Sequence, residues 1–418
     1  MVRRVARRGG VAIGRTDELT SEQAAILLPI ILRTTTQESP APTTDQDQER
    51  PVTGWGSAPR ITAAEAITVL ARHPSCCTKE TREAIRRLSV DPVPVVRVQV
   101  ATRVLCLYNT APDLLWELLA HYADNEQNPT VLADALHALA RLPLAHATKT
   151  VTLTETIFNR TNDEPEKKEV RDACINIFCG LALWGNDAQS TAIINRVIDD
   201  PGDYSQDVQR LILDLAGNLP AKEPHITDAA FALLHRTLTR VIESMRAIEG
   251  ANQGIARWPP AVQEQYSGLF RCADTVAQQL YFVSGAFKNP DNDRTLLPPD
   301  VFYEHAKPLF ALLAGIGHPH VAHNVLGTLQ YFIAVDPPGV LVLVGEVVRT
   351  GSKYGYQYEQ LAEGLMVEIV EQYLAEYRLV LREHPECHTA LMDVLDVFVR
   401  VGWPRAHQLT YQLSDIYR

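Results

Sequence analysis

Lysine is scarce in this chain, 8 of the 39 basic residues. The arginine bias points to a GC-rich bacterial gene and carries no mechanism. Long apolar runs are also missing. A bilayer-spanning helix needs about 20 apolar residues in succession, and the most apolar stretch, residues 24–32, is shorter and interrupted by Pro29. No membrane span is expected. Positive charge is lacking too. A formal net charge of -11 argues against a general nucleic-acid binder, whose affinity comes from cationic contacts to phosphates, although it leaves room for a local basic strip. There is no CxxC pair, and the seven cysteines (Cys76, Cys77, Cys106, Cys174, Cys179, Cys272, Cys387) are odd in number. They read as small buried hydrophobes in a reducing compartment rather than as disulfides or metal ligands. Strand-like alternation is almost absent. Residues 340–348 are β-branched, yet their neighbours place them in a buried helix.

What is present is a chain of 418 residues, 46% hydrophobic and 21% charged. That is ordinary for a folded soluble protein, but too long for one compact core, so either several domains or an elongated array is expected. Residues 1–15 carry Arg3, Arg4, Arg7, Arg8 and Arg15 with no acid. No apolar core follows them, as a secretory signal requires, and a frayed or truncated terminus is the expectation. GGVAIGRT at 9–16 has the spacing of a phosphate-binding loop. Arg15 stands where lysine belongs, and no buried strand precedes it, so no nucleotide site and no cofactor are expected. Ser21 is a candidate cap for a short helix. Residues 34–60, rich in Pro and Thr, read as a flexible linker with Trp55 as their one large apolar residue.

The chain is organised around residues 91–119. Asp91-Pro92-Val93-Pro94 forms a turn, and the helix that follows places Val96, Val100, Val104 and Leu107 on one inward face. The pattern breaks at Asn109-Thr110-Ala111-Pro112 and restarts as a second apolar helix. Thr62 and Thr78 are candidate caps for helices just before this stretch. Similar turns recur. If Val96, Val131, Val170 and Val208 are equivalent, they stand 35, 39 and 38 residues apart, a period of two helices per unit that points to a helical solenoid.

The Asp-Pro turn followed by Val96-Arg97, with Val170-Arg171 keeping the pair, resembles the HEAT repeat family. Val131-Leu132 and Val208-Gln209 depart from it. The resemblance covers residues 61–220 and implies an armadillo-like, all-α array of the kind that commonly serves as a protein-binding scaffold. After Pro220 the period is lost. Long helices are expected over residues 227–248, with Thr227 as cap, and over 261–287. Shorter ones follow near 300–316, 320–334 and 338–349, then a long one over 358–383 and two more over 388–401 and 405–416. The last 65 residues, beginning YGYQYEQLAEGLMVEIVEQYL, resemble the end of large bacterial ATP-binding proteins of the STAND type. That resemblance implies a sensor region for a partner.

His305, His318, His320 and His323 are the densest histidine set, but zinc wants three or four convergent ligands; a solvated turn is expected and no metal. Tyr354, Tyr356 and Tyr358 alternate around Gly355, with Tyr373 and Tyr377 following at helical spacing; exposed aromatics beside a glycine suit an interface, and packing of the loop against the last helices is the other reading. Arg82, Arg86, Arg87, Arg97 and Arg103 make a basic density in the first repeats. DNA glycosylases on HEAT-like folds use such a face, with roles in which Asp113 and Trp116 could be cast, but a helix cap and an apolar face account for these two.

The expectation is therefore an all-α, HEAT-like superhelix with a less regular C-terminal helical module. Residues 1–60 would be a basic arm, short helix and linker, 61–220 the repeats, and 221–418 the module continuing the array. The chain would be a non-catalytic cytoplasmic recognition scaffold for a protein partner, with Tyr354, Tyr356, Tyr358 and Arg97 as contact residues. A nucleic-acid-processing enzyme on the same fold is the alternative.

Overall fold

The computed structural model describes residues 20–42, 48–54, 56–161, 165–251, 258–287, 296–405 and 407–409. The arginine-rich arm, the GGVAIGRT stretch, Trp55 and most of the expected 405–416 helix lie outside them. Among the described residues there is no strand. The described residues form an all-α fold, and the chain divides into two compact units, residues 1–192 and 193–418.

Proline sets the register. Ten of the described α-helices begin with it. At a first helical position the missing N–H costs nothing, because that donor has no partner within the helix, and the fixed φ is already helical. In unit 1, α1 (Ser21–Thr34) and α2 (Pro59–Leu70) are followed by α3 (Lys79–Ser89), α4 (Pro94–Arg103), α5 (Pro112–Asn125), α6 (Pro129–Ala140), α7 (Ala147–Arg160) and α8 (Lys168–Gly185). Helices α1, α2, α4, α6 and α8 pack side by side in one row, and α3, α5 and α7 in a second row against them. The members α2, α4, α6 and α8 start at residues 59, 94, 129 and 168, hence 35, 35 and 39 apart. Val96, Val100, Val104 and Leu107 are fully buried, as expected, and so is Val98. A short helix buried on nearly every side can therefore be rich in β-branched residues despite their modest helix propensity. Thr78 caps α3 through the Thr81 amide. Thr20 rather than Ser21 caps α1, and α2 starts at Pro59, ahead of Thr62.

The turns are tied together by arginines. Arg97 on α4 is buried and grips Glu126, in the turn before α6, with both arms, Nε to Oε2 at 2.7 Å and Nη2 to Oε1 at 2.8 Å. Its Nη1 donates to the Asp91 carbonyl at 2.8 Å and to Gln48 Oε1 at 3.1 Å. Glu126 Oε1 also accepts from the amides of Gln127 and Asn128. One repeat back, Arg60 pairs with Asp91 at 2.9 Å. One repeat on, Arg160 donates to the carbonyls of Ala123 and Glu126, and Arg171 donates to the Thr161 carbonyl while lying over the Phe158 ring.

The described part of 34–60 is not free. Thr34 and Thr35 are buried, Arg60 donates to the carbonyls of Gln37 and Pro40, and residues 48–52 cross the turns as a strap. Gln48 donates to the Pro92 carbonyl at 2.7 Å, the Arg50 carbonyl accepts from the Asn128 side chain at 2.7 Å, and the Val52 amide donates to the Thr130 hydroxyl at 3.0 Å. Polar side chains at the repeat turns supply the partners that a Pro- and Thr-rich composition by itself does not announce.

The boundary between the units falls within α9 (Ala188–Asp199). Unit 2 continues with α10 (Ser205–Asn218), α11 (Pro224–Ala251), α12 (Pro260–Val283), α13 (Pro299–Ala314), α14 (Pro319–Tyr331), α15 (Pro337–Ser352), α16 (Gln360–Glu376), α17 (Arg378–Glu383) and α18 (Pro385–Val401). It too is a double row, α10, α12, α14 and α16 against α11, α13, α15 and α18. Phe302, Tyr303, Phe310 and Phe332 are fully buried between the rows. Thr227 lies inside α11 instead of capping it, and its hydroxyl donates to the Leu219 carbonyl at 3.1 Å. The helix expected over 358–383 is two, α16 and α17, broken at Tyr377.

Removing one partner of a buried charge pair strands the other, at a cost of about 3–5 kcal/mol. Arg97→Met and Glu126→Leu should each destabilise unit 1 by about that amount in urea unfolding. The double variant should lose much less than the sum of the two. Additive losses would show that the pair is not the link between these turns.

Candidate interaction surface

Two of the four residues expected at an interface are interior. Arg97 is buried in the Glu126 pair, because it holds two turns together. Tyr356 is 1% exposed. Gly355 has φ +93° and turns the chain so that Tyr356 goes inward, its Cβ packing where a side chain on Gly351 would otherwise stand. Both are corrected from contact residues to structural ones. Their neighbours remain outside: Tyr354 is 60% exposed and Tyr358 73%.

The basic density of the first repeats is spent within unit 1. Arg82 donates to the Thr110 carbonyl, Arg86 forks onto Glu117 at 2.7 and 2.8 Å, Arg87 bonds Thr35, and Arg103 reaches Glu65 at 3.0 Å. Asp113 is an exposed first-turn residue of α5 and not its cap. Trp116 is half-buried, edge-on to His146 and under the Lys149 ammonium. These contacts do not favour the nucleic-acid reading.

The structure joins two features that the sequence kept apart, the histidine turn and the tyrosine loop. Gly317 has φ +72°, and a Cβ built there would lie 2.6 Å from the Tyr354 ring. A glycine is therefore needed on both steric counts, and it lets Tyr354 lie over the turn into α14. His318 caps α14, its Nδ1 accepting from the His320 amide at 3.3 Å, and its ring packs on Phe270 of α12 at 4.3 Å between centroids. His320 Nδ1 meets Asp274 Oδ1 at 2.7 Å. Tyr266, one turn before Phe270, donates to Glu249 at 2.5 Å and stands edge-on to the buried Trp258. His305 belongs elsewhere, stacked on Phe231 at 4.9 Å with Asp228 at 3.5 Å.

Tyr266, Phe270 and Asp274 were not foreseen. They repeat at a spacing of four along α12, which marks one helix face. In a helix of 24 residues that spacing does not tell an outward stripe from a core one. Among the described residues no group of three or more His, Cys, Asp or Glu is arranged to hold a metal ion. None of the seven cysteines is in a disulfide; six of them are buried and Cys106 is half-buried. No described helix is long and apolar enough to cross a membrane.

No protein-family model matches the chain, and no curated protein matches it. Among solved structures it is similar to a homology model of the full-length AP-3 complex in an intermediate open conformation. That match has 12% identity over 99% of this chain and 74% of that one, with a TM-score of 0.35. It is also similar to Kap121p bound to Nup53p, at 12% identity over 99% of this chain, with a TM-score of 0.37. It spans 51% of the Kap121p chain.

Burial pushes the imidazoles of His318 and His323 below their ordinary value of 6.5. Asp274 and Glu359 favour protonation of His318, Glu359 favours that of His323, and His320 opposes both. As pH falls below 6.5 the unfolded chain takes up protons first. The stability linked to these two histidines is thus complete above pH 6.5 and is lost as pH drops through their depressed folded values. Melting of unit 2 should weaken from pH 7 to pH 5. His318→Asn, which keeps a capping acceptor, combined with His323→Gln should flatten that slope. An unchanged slope would assign the pH response to other groups.

Proposed function

We propose that the chain is a non-catalytic protein-recognition scaffold, and that the surface around Tyr354 and Tyr358 is where unit 2 meets its partner. The observation that carries this reading is the pair of exposed tyrosines held on a turn defined by Gly317 and Gly355. Tyrosine offers a large apolar face with a polar tip at a low cost in side-chain entropy, and such residues dominate binding energy at interfaces. A rigid turn lowers the ordering cost further.

Charge names the kind of partner. Unit 2 holds 18 of the 39 basic residues and 27 of the 50 acidic ones, so it carries -9 of the chain's -11. Glu249, Asp274 and Glu359 lie among the aromatic side chains of this surface. A Lys- or Arg-bearing segment fits, its cations placed over tyrosine rings for about 0.5–1 kcal/mol each and steered in by the negative field. A finer reading, the sensor region of a bacterial STAND-like defence or signalling system in the cytoplasm, rests on the resemblance of the last 65 residues alone.

The test is affinity capture from host lysate with the wild-type chain, Tyr354→Ala and Tyr358→Ala, with and without nuclease. One dominant basic protein should survive nuclease treatment and fall about tenfold with Tyr358→Ala, while the melting temperature stays put. Tyr356→Ala should lower the melting temperature instead. A nuclease-sensitive catch, or equal capture by all variants, would remove the proposed surface.

A further inference from the structure

Helix α1 is the first member of its row in unit 1 and packs on α2 and α3. Ala24, Leu28 and Ile31 are its buried residues. At 3.6 residues per turn the opposite side of the helix carries Glu22, Ala25, Ile26, Pro29, Ile30 and Arg33, and all six are exposed. Ile26 is 72% exposed and Ile30 39%. The outer face of a terminal element in a stacked array is polar when water is all it meets. This face instead has an apolar centre, with one acid at one end and one base at the other. Among the described residues neither Glu22 nor Arg33 has an ion-pair partner.

We infer that this face pairs with the same face of a second copy of the chain, α1 against α1, antiparallel about a two-fold axis between Leu27 and Leu28. The charges select this occupant. One cation and one anion at opposite ends favour neither an acidic nor a basic partner, but they match the same face turned end over end. Glu22 of one copy then meets Arg33 of the other, and two-fold symmetry repeats the ion pair at the far end. A parallel pair would set Glu22 against Glu22 and Arg33 against Arg33. The antiparallel register also sorts the apolar residues. Ile26 falls opposite Pro29 and Ile30 opposite Ala25, so at each level a long side chain meets a compact one and the helices can approach closely. Length limits the strength. A helix of 14 residues is about 21 Å long. The interface is therefore smaller than the roughly 1,200 Å² at which stable complexes begin, and the dimer is weak, with a dissociation constant on the order of tens of micromolar.

The experiment is sedimentation velocity of the full chain at concentrations from about 1 µM to about 200 µM, which bracket that constant. The wild-type chain should pass from monomer to dimer across the range. Ile26→Glu should stay monomeric throughout at an unchanged melting temperature, because the side chain it replaces is exposed in the monomer. Glu22→Arg alone and Arg33→Glu alone set like charges opposite each other, and each should weaken its own dimer by about threefold to tenfold. An equimolar mixture of these two variants should recover the wild-type affinity, since each supplies the charge that the other lacks. The proposal is overturned by a wild-type chain that is monomeric at the highest concentration, which would leave the face to a different partner. It is overturned as well by a dimer that survives Ile26→Glu, or by a mixture no tighter than the separate variants. None of these outcomes bears on the tyrosine surface of unit 2.

Discussion

The Arg97–Glu126 pair is the contact on which the first repeats depend. Each helix of the row buries its apolar face against the next, but such burial has no direction and sets no spacing. The forked guanidinium supplies both, because its planar donors match a carboxylate in one orientation only. Glu126 in turn holds two backbone amides at the entry to α6, so the pair also fixes where that helix begins. Arg60 with Asp91 and Arg160 with the Glu126 carbonyl carry the arrangement to either side. Residues that a surface count would score as basic are thereby withdrawn from solvent, and the charge left for partners is that of the other face and the other unit.

Proline made the fold legible. The turns at Pro94 and Pro129 could be read directly, because the fixed ring angle and the absent donor confine proline to few places. The period was legible over α4 to α10 and then lost, for a physical reason. Helices α11 and α12 have 28 and 24 residues against 10 to 14 for α2 to α7. The two-row packing persists while the starts of α10, α12, α14 and α16, at residues 205, 260, 319 and 360, drift to 55, 59 and 41 apart. A repeat detected by its spacing vanishes when its helices lengthen, even though each still meets its neighbours in the same way.

The site was half legible. Alternation marked Tyr354, Tyr356 and Tyr358 as one group, but which of the three turned inward depended on Gly355 and on space beside Gly351. Neither can be read from a spacing of two. The histidine turn and the tyrosine loop lie more than 30 residues apart in sequence, and they meet through a glycine that has no side chain for a partner to recognise. Arg97 was noticed for its place in a repeat turn, and that is its role. Offering it also as a contact residue overlooked that a conspicuous arginine can already be satisfied.

The strap at residues 48–52 changes how unit 1 can come apart. In an array where every element touches only its neighbours, opening can begin at an end and proceed helix by helix. The strap bonds residues 44, 49 and 78 positions away, at the entries to both α4 and α6. It cannot dock until two successive repeats exist, and neither repeat can leave without breaking it. A chain built from local contacts thus acquires a long-range closure, which slows assembly and binds the first repeats into one cooperative unit.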